Sequence, residues 1–248
     1  MAHNRLQSVV PSELAATYSI VAYDPHTRQL GVAVQTHQMC VGRLVPWLEP
    51  GVGAIATQSL VNISFGPLGL DMLREGMEPQ QVADALVGSD PGSARRQFAV
   101  MNANGGVVGF TGDGCIPEAG HRTGTNYSVQ ANMMTRSTVP DAMAEAFEKA
   151  EGDLAHRMLD ALKAAQAEDG DIRGMQSAAL KVVAQSGDGA DLVRGSNPPY
   201  DLRVDEHTNP VEELARLVRM RSAQLLDAEG HHLLSDGKKE EALARWQQ

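Results

Sequence analysis

Cysteine, positive charge and long apolar runs are all scarce in this sequence. The chain of 248 residues has two cysteines, Cys40 and Cys115, too few for a disulfide framework or a thiolate metal cage. No apolar run reaches the roughly 18 residues that a membrane span requires. The first 16 residues lack the continuous apolar stretch of a secretion signal. We therefore expect a cytoplasmic protein with no membrane partner.

The charge balance excludes another class of partner. Lysine and arginine total 21 against 31 acidic residues, which gives a net charge of −10. A protein that binds the phosphate backbone needs a basic face, so we expect no nucleic-acid partner. Hydrophobic residues make up 42% of the chain, enough for a folded core. The length suits one large domain or two small ones.

Strands are predicted where β-branched and aromatic residues alternate with others. The segment TYSIVAYD, residues 17–24, is the clearest example, and Asp24-Pro25 then supplies turn chemistry before a return strand. Such an early hairpin argues against an all-parallel, doubly wound sheet. The remaining strands are predicted over 30–36, 52–58, 98–112 (two strands around an Asn/Gly turn), 127–134, 177–184 and 201–207.

Helices are predicted in pairs between these strands. Leu68, Met72 and Leu73 form the expected buried stripe of the first helix, while Thr138 and Asp153 offer capping oxygens to two later ones. Strands clustered between helix pairs predict an α+β fold with helices outside the sheets. The clearest linker is 185–199. The predicted helices cover 67–76, 79–88, 138–149, 153–162, 210–227 and 238 to the C-terminus.

Three familiar motifs are incomplete. Gly51, Gly53 and Ala56 match a dinucleotide fingerprint by letters, but they lead into a predicted strand rather than a helix. The acidic run near Arg173 is more typical of a solvated loop than of a cation site. Cys115 and His121 could form a nucleophile pair, yet no third partner is visible. We expect neither a metal nor a cofactor.

Thr17 is the most suggestive residue for chemistry. It begins the first strand, after a segment with little structural signal. A threonine with a free α-amine can act as both nucleophile and base, because that amine titrates near 7.7–8.0. The alternative is that Thr17 only starts a β-strand, a position that threonine favours.

Several blocks in order resemble the DUF1028 family of bacterial and archaeal proteins. They are TYSIVAYD, VGRLVPW with PGVGAIATQ, FGPLGLDML, GHRTG, YSVQANMM, EGDLA, DIRGMQSAAL and PPYDLRVDEH, and together they run from Thr17 to about Arg219. The family in turn resembles the N-terminal nucleophile (Ntn) hydrolase superfamily. The resemblance implies a four-layer αββα sandwich of two antiparallel sheets flanked by helices.

The same resemblance implies amide hydrolysis with Thr17 as the nucleophile. It also implies an oxyanion held by donors on neighbouring strands and a cation that tunes the α-amine. Each of these roles has a structural alternative. The amide side chains can instead satisfy buried backbone groups, the arginine can be an ordinary surface residue, and the polar residues of DIRGMQS can form a hydrogen-bonded loop clamp. The catalytic candidates are Thr17, Arg43 and Asn132, and the substrate-binding candidates are Thr57, Gln58, Gln130, Asp171, Arg173, Gln176 and Ser177.

The chain departs from the family pattern at both ends. Sixteen residues precede Thr17, so removal of the first methionine cannot free its amine. Four possibilities stay open. The Ala16-Thr17 bond is cleaved by the protein itself, it is cleaved by a protease, the true start site is elsewhere, or the amine of Thr17 stays blocked. We divide the chain into an N-terminal extension (1–16), the family domain (17–220) and a C-terminal helical extension (221–248).

The C-terminal extension contains GKKEEALARWQQ, in which Gly237, Ala242 and Trp246 resemble half of a tetratricopeptide-type repeat. We expect a helix that docks on this subunit or on a neighbour in a homo-oligomer. The predicted function is hydrolysis of a C–N amide or ureide bond in a small polar metabolite. The alternative is a non-catalytic ligand-binding or assembly protein on the same scaffold.

Overall fold

The computed structural model describes residues 14–15, 17–184 and 198–247, and these form two antiparallel sheets with helices on both outer faces. The layer order is helix, sheet, sheet, helix, so the predicted α+β αββα sandwich is confirmed. The first 13 residues, Ala16, Gln248 and almost all of the predicted linker lie outside the described residues.

The larger sheet contains six strands and carries Thr17 near its centre. Strands β2 (Thr17–Asp24) and β3 (Gln29–Thr36) form the predicted hairpin, in register from Thr17 opposite Thr36 to Asp24 opposite Gln29. The strand order across the sheet is β11-β10-β3-β2-β9-β8. The other strands are β8 (Gly120–Gly124), β9 (Tyr127–Asn132), β10 (Ser177–Ala184) and β11 (Tyr200–Val204).

The smaller sheet is built around one long strand, β5 (Gly53–Leu60). This strand pairs with β6 on one side and with both β1 and β4 on the other. Gly51 precedes a turn into β5, so these glycines open a strand rather than a helix. The other strands are β1 (Leu14–Ala15), β4 (Pro46–Glu49), β6 (Arg96–Asn102) and β7 (Val107–Thr111).

Helices α1 (Phe65–Arg74) and α2 (Pro79–Ser89) cover the smaller sheet. The predicted stripe of α1 is wrong in one position, because Leu68 is 45% exposed while Phe65 and Leu70 are buried. The helix begins two residues earlier than predicted. Its buried stripe therefore runs through Phe65, Gly69 and Leu73, four residues apart.

Helices α3 (Val139–Lys149) and α4 (Leu154–Ala167) cover the larger sheet, together with the first half of α5 (Pro210–Ser235). Asp153 caps α4 as predicted, by accepting a hydrogen bond from the His156 amide at 2.9 Å. Thr138 occupies the predicted N-cap position of α3, but its hydroxyl donates to Glu168 at 2.5 Å and does not cap the helix.

Helix α5 is longer than predicted and forms a hairpin with α6 (Lys239–Trp246). The prediction ended it near Asp227, but α5 continues through Gly230, against which Trp246 packs. A Cβ on Gly230 would lie 2.2 Å from Trp246 Nε1, so only glycine permits this approach. No helix in the described ranges is long and apolar enough to cross a bilayer.

Candidate functional site

Four polar residues lie side by side across the larger sheet at one end of the sandwich. Ser177 pairs with Thr36, Thr36 with Thr17, and Thr17 with Asn132. Residues opposite one another on adjacent strands project to the same face. Val21, Val32 and Val34 share that face further along β2 and β3, and they pack between the two sheets. The four polar side chains therefore project toward the smaller sheet.

Thr17 is completely buried, and side chains from both sheets hold it in place. Its carbonyl oxygen accepts hydrogen bonds from Gln58 Nε2 at 3.2 Å and from Asn132 Nδ2 at 3.3 Å. Its hydroxyl lies 3.2 Å from that of Thr36. These contacts fix the orientation of the residue that sequence reasoning selected as the nucleophile.

Gln58 and Gln130 extend the hydrogen-bond network from Thr17 to Ser19, two residues further along β2. The Ser19 hydroxyl donates to Gln58 Oε1 at 2.6 Å, and Gln130 Nε2 donates to the Ser19 oxygen at 2.6 Å. Gln58 Nε2 also reaches the Gln130 carbonyl at 3.2 Å. Three predicted residues, Gln58, Gln130 and Asn132, thus lie together around Thr17, and their amides pair with buried groups of the protein.

The centre of the network is a residue that the sequence analysis missed. Gln97 Oε1 accepts from Gln58 at 2.7 Å and from Asn132 at 2.9 Å. Its amide nitrogen lies 2.9 Å from Thr111 Oγ1 and 2.9 Å from the Ala131 carbonyl. Alternation in RQFAVMN places Gln97 on the same face as Ala99 and Met101. A polar residue on an otherwise apolar strand face was the feature of the sequence that could have identified Gln97 as a site residue.

The layer between the sheets is consequently divided into two parts. Valine, alanine and leucine fill one part, whereas serine, threonine, glutamine and asparagine fill the part around Thr17. Buried amides need partners to offset their lost hydration. Since apolar residues fill the neighbouring space, stability alone does not explain the polar part. Such departures from simple core packing are typical of functional sites.

Thr57 and Arg43 lie elsewhere. Thr57 alternates with Gln58, so its side chain points to the helical face of the smaller sheet, where its hydroxyl donates to the Asn62 carbonyl at 3.3 Å. Arg43 ends a short 3₁₀ turn, Val41–Arg43, and its side chain is exposed. Solvent screens the field of an exposed guanidinium. Its effect on the amine of Thr17 stays a prediction.

The DIRGMQS cluster joins the loops that surround this end of the sandwich. The buried Asp171 carboxylate accepts from the His37 amide at 3.0 Å and from the Arg173 guanidinium at 3.0 Å. Burial and the nearby Asp171 carboxylate raise the pKa of Tyr18, the residue after Thr17. These are the contacts of a loop clamp beside the site.

The last two residues of this cluster, Gln176 and Ser177, form hydrogen bonds with β3 and with the loop that follows it. Ser177 Oγ accepts from the Val41 amide at 3.1 Å and donates to the Gln38 carbonyl at 2.5 Å. The Gln176 amide donates to the Thr36 carbonyl at 3.1 Å. The cluster therefore fixes the loop that follows β3, next to the Thr17 row. Substrate binding by its side chains stays a prediction.

The residues before Thr17 belong to the other sheet. Leu14 pairs with Leu60, and Ala15 pairs with Ser59, so β1 lies along β5 before the chain enters β2. Thr17 is therefore the point at which the chain passes from the smaller sheet to the larger one.

In the described ranges, no group of three or more histidine, cysteine, aspartate or glutamate side chains converges as a metal site would require.

Cys115 lies beside backbone and hydroxyl groups. Its thiol donates to the Arg96 carbonyl at 3.4 Å and accepts from the Ser59 hydroxyl at 3.5 Å. Both of these partners are neutral groups, and neither is the His121 imidazole that sequence reasoning paired with Cys115.

Comparison with known proteins identifies the family. The sequence profile of DUF1028, a family of unknown function, matches residues 17–214. The crystal structure of a DUF1028 protein from Silicibacter pomeroyi is 32% identical, with a TM-score of 0.74 over 84% of this chain and 89% of that one. The chain belongs to the DUF1028 family, as the sequence blocks predicted.

A second solved structure is more distant. Anbu (ancestral beta-subunit) from Yersinia bercovieri is 11% identical, with a TM-score of 0.39 over 88% of this chain and 95% of that one. This similarity is too low to support a functional conclusion. No match was found among curated proteins.

Proposed function

We propose that the protein is an amidohydrolase of the Ntn type, which acts on a C–N amide or ureide bond of a small polar metabolite. The observation that supports it is the placement of Thr17. The residue is fully buried at the start of a central strand, and the Gln58 and Asn132 amides hold its carbonyl oxygen. This arrangement fixes the direction of both its hydroxyl and its backbone nitrogen.

The reaction requires cleavage of the bond before Thr17. The freed α-amine then takes the hydroxyl proton as Thr17 Oγ1 adds to the substrate carbonyl. Collapse of the tetrahedral adduct breaks the C–N bond, and the leaving nitrogen takes that proton. Water next hydrolyses the threonine ester, which restores the hydroxyl and releases the acid. Donors near the site stabilise the oxyanion in both steps.

Intact mass of the purified protein tests the first requirement. We expect a species that begins at Thr17, because only that species has a free α-amine on Thr17. A full-length mass that is stable over days would contradict the proposal.

Substitution of Thr17 tests the chemistry. On a panel of amides and ureides, Thr17→Ala should abolish release of ammonia or amine, while the loss of its hydrogen bond to Thr36 lowers the melting temperature by only a few degrees. Thr17→Ser should retain part of the turnover, because it keeps the hydroxyl. Thr27→Ala is the matched control, since Thr27 is exposed in the β2–β3 turn at the opposite end. Full turnover by Thr17→Ala would exclude Thr17 as the nucleophile.

A second candidate function is a non-catalytic ligand-binding or assembly protein. The pairing of Leu14 and Ala15 with β5 favours it, because the segment before Thr17 is part of the smaller sheet. This function predicts a full-length mass and a ligand that raises the melting temperature and is recovered unchanged. Turnover of that ligand would exclude it.

A further inference from the structure

A pocket of about 580 Å³ opens at the seam between the two sheets, beside the Thr17 end. The edge strands β7 and β8 form its sides, and the loop 112–119 that joins them forms its wall. Gly120 of this pocket pairs with Ala131, and the next residue of β9, Asn132, pairs with Thr17. One strand therefore separates the pocket from Thr17.

The exposed His121 of β8 packs its imidazole against β7 at this pocket. A Cβ on Gly109 of β7 would lie 2.7 Å from His121 Cδ2, so the glycine makes room for the ring. His121 Nδ1 also lies 2.9 Å from Thr111 Oγ1. These two contacts join the edge strands of the two sheets.

The Thr111 hydroxyl joins that ring to Gln97. Gln97 Nε2 can only donate, and it lies 2.9 Å from Thr111 Oγ1 and 3.1 Å from the Gly120 carbonyl. The Thr111 hydroxyl can either donate to His121 Nδ1 or accept from it, according to the tautomer of the ring. Desolvation by burial lowers the pKa of His121, which favours the neutral imidazole.

The same bonds connect the pocket to the candidate nucleophile. From His121 they pass through Thr111 to Gln97, whose Oε1 accepts from Gln58 and Asn132. Both of those amides donate to the Thr17 carbonyl. A molecule in the pocket therefore lies against the same polar network that orients Thr17.

The charges of the lining indicate what kind of molecule fits. Asp113 and Glu118 line the pocket, and lysine and arginine are absent from its described lining, although Arg95 packs against the outer loop at Gly114. Within the described ranges, neither carboxylate has a side-chain partner. With His121 neutral, the two carboxylates give the mouth a negative charge that attracts cations and repels anions.

We propose that this seam pocket binds a small molecule through a positively charged amine or guanidine group. The inference deepens the proposed function, because it gives the substrate a cationic end. It rests on that function for the link to turnover, but binding itself does not require chemistry at Thr17.

Three probes of equal length and different charge test the pocket: n-butylammonium, 1-butanol and butyrate. Each is titrated into the isotope-labelled full chain at low ionic strength, where charge effects are least screened. Amide signals of Gly112 and Gly120 and the His121 ring report binding. We expect butylammonium to bind in the millimolar range, at least about threefold more tightly than butanol, with butyrate weakest.

Variants then assign the preference to the two carboxylates. Asp113→Asn and Glu118→Gln should each weaken butylammonium binding about 1.5- to 5-fold, as expected for exposed ion pairs, and the double variant should weaken it further. Glu145→Gln is the matched control, an exposed carboxylate on α3 outside the pocket, and should change nothing. Equal binding of the three probes, or a double variant that behaves like the control, would overturn the proposal.

The two proposals fail in different ways. The titrations are repeated with Thr17→Ala, in which cleavage by Thr17 is impossible. A protein that is never processed, yet prefers the cation, contradicts the proposed function and supports the pocket. A protein that turns over amides without any charge preference in the pocket supports the function and overturns the pocket.

Discussion

Replacement of Gln97 by leucine is the sharpest test of the network around Thr17. Gln97 is fully buried, and its two amide atoms contact both sheets. Leucine has a similar size but neither donates nor accepts hydrogen bonds. The substitution therefore removes the polar centre of the network while it leaves the volume nearly unchanged.

The magnitude follows from the groups that lose their partners. Asn132 Nδ2 has two hydrogens, and the loss of Gln97 Oε1 leaves it the Thr17 carbonyl alone among the contacts above. On the acceptor side, the Ala131 carbonyl loses its side-chain donor. Gln58 keeps two acceptors, the carbonyls of Thr17 and Gln130. Two buried groups at about 1–3 kcal/mol each give a loss of about 2–6 kcal/mol.

Thermal unfolding measures this loss. For a domain of this size, about 2–6 kcal/mol corresponds to a fall in melting temperature of roughly 4–24 °C. The control is Gln80→Leu, the same chemical change at an exposed position of α2, which should shift stability by less than about 0.5 kcal/mol. If Gln97→Leu melts within one or two degrees of Gln80→Leu, the network contributes no stability and the reasoning is refuted.

Three further predictions concern other parts of the fold. Gly109→Ala should displace the His121 ring and cost about 1–3 kcal/mol, seen as a changed imidazole NMR signal. The control is Gly88→Ala, which has open space around the new Cβ and should stabilise the protein by up to about 1 kcal/mol. Equal changes in stability for the two substitutions would contradict a clash between Cβ of residue 109 and the His121 ring. The Arg96 guanidinium lowers the pKa of Asp90 to about 2, below its ordinary 3.8, so its stabilisation is present above about pH 4 and is lost as the pH falls toward 2. Urea unfolding of Asp90→Asn should show a deficit of about 1–2 kcal/mol at pH 7 that shrinks by pH 2.5, and a constant deficit would argue against the ion pair. Gly230→Ala should push Trp246 away and speed amide exchange in α6 without lowering the main melting transition; unchanged exchange would show that the hairpin does not depend on this contact.

The strands with the strongest alternation were predicted well, and the weakest were missed. The β2–β3 hairpin lies where β-branched residues and a Pro turn indicated it. Strand β4, PWLE, was missed because it is short and begins with proline. Strand β8, GHRTG, was missed because it has one β-branched residue between glycines. Both are strands whose pairing partner, rather than their own propensity, determines the structure.

Most residues of the site could be predicted from the sequence, but the hydrogen bonds between their side chains could not. Gln130 and Asn132 alternate with apolar residues along β9, so their common face could be read from the sequence. Thr57 and Gln58 are neighbours on a strand buried on both faces, and composition could not show which of them faces Thr17. Gln97 lies far away in sequence. Its contact with Gln58 and Asn132 arises only when the two sheets pack together.

The divided layer between the sheets has a consequence for how the sandwich takes up water. Where valine and leucine pack together, an entering water molecule exposes apolar surface, which costs about 25 cal/mol of free energy per Å². Around Thr17, an entering water finds hydroxyl, amide and carbonyl groups that can each replace a lost bond. The energetic cost of hydration is therefore lower around Thr17 than in the apolar part of the same layer.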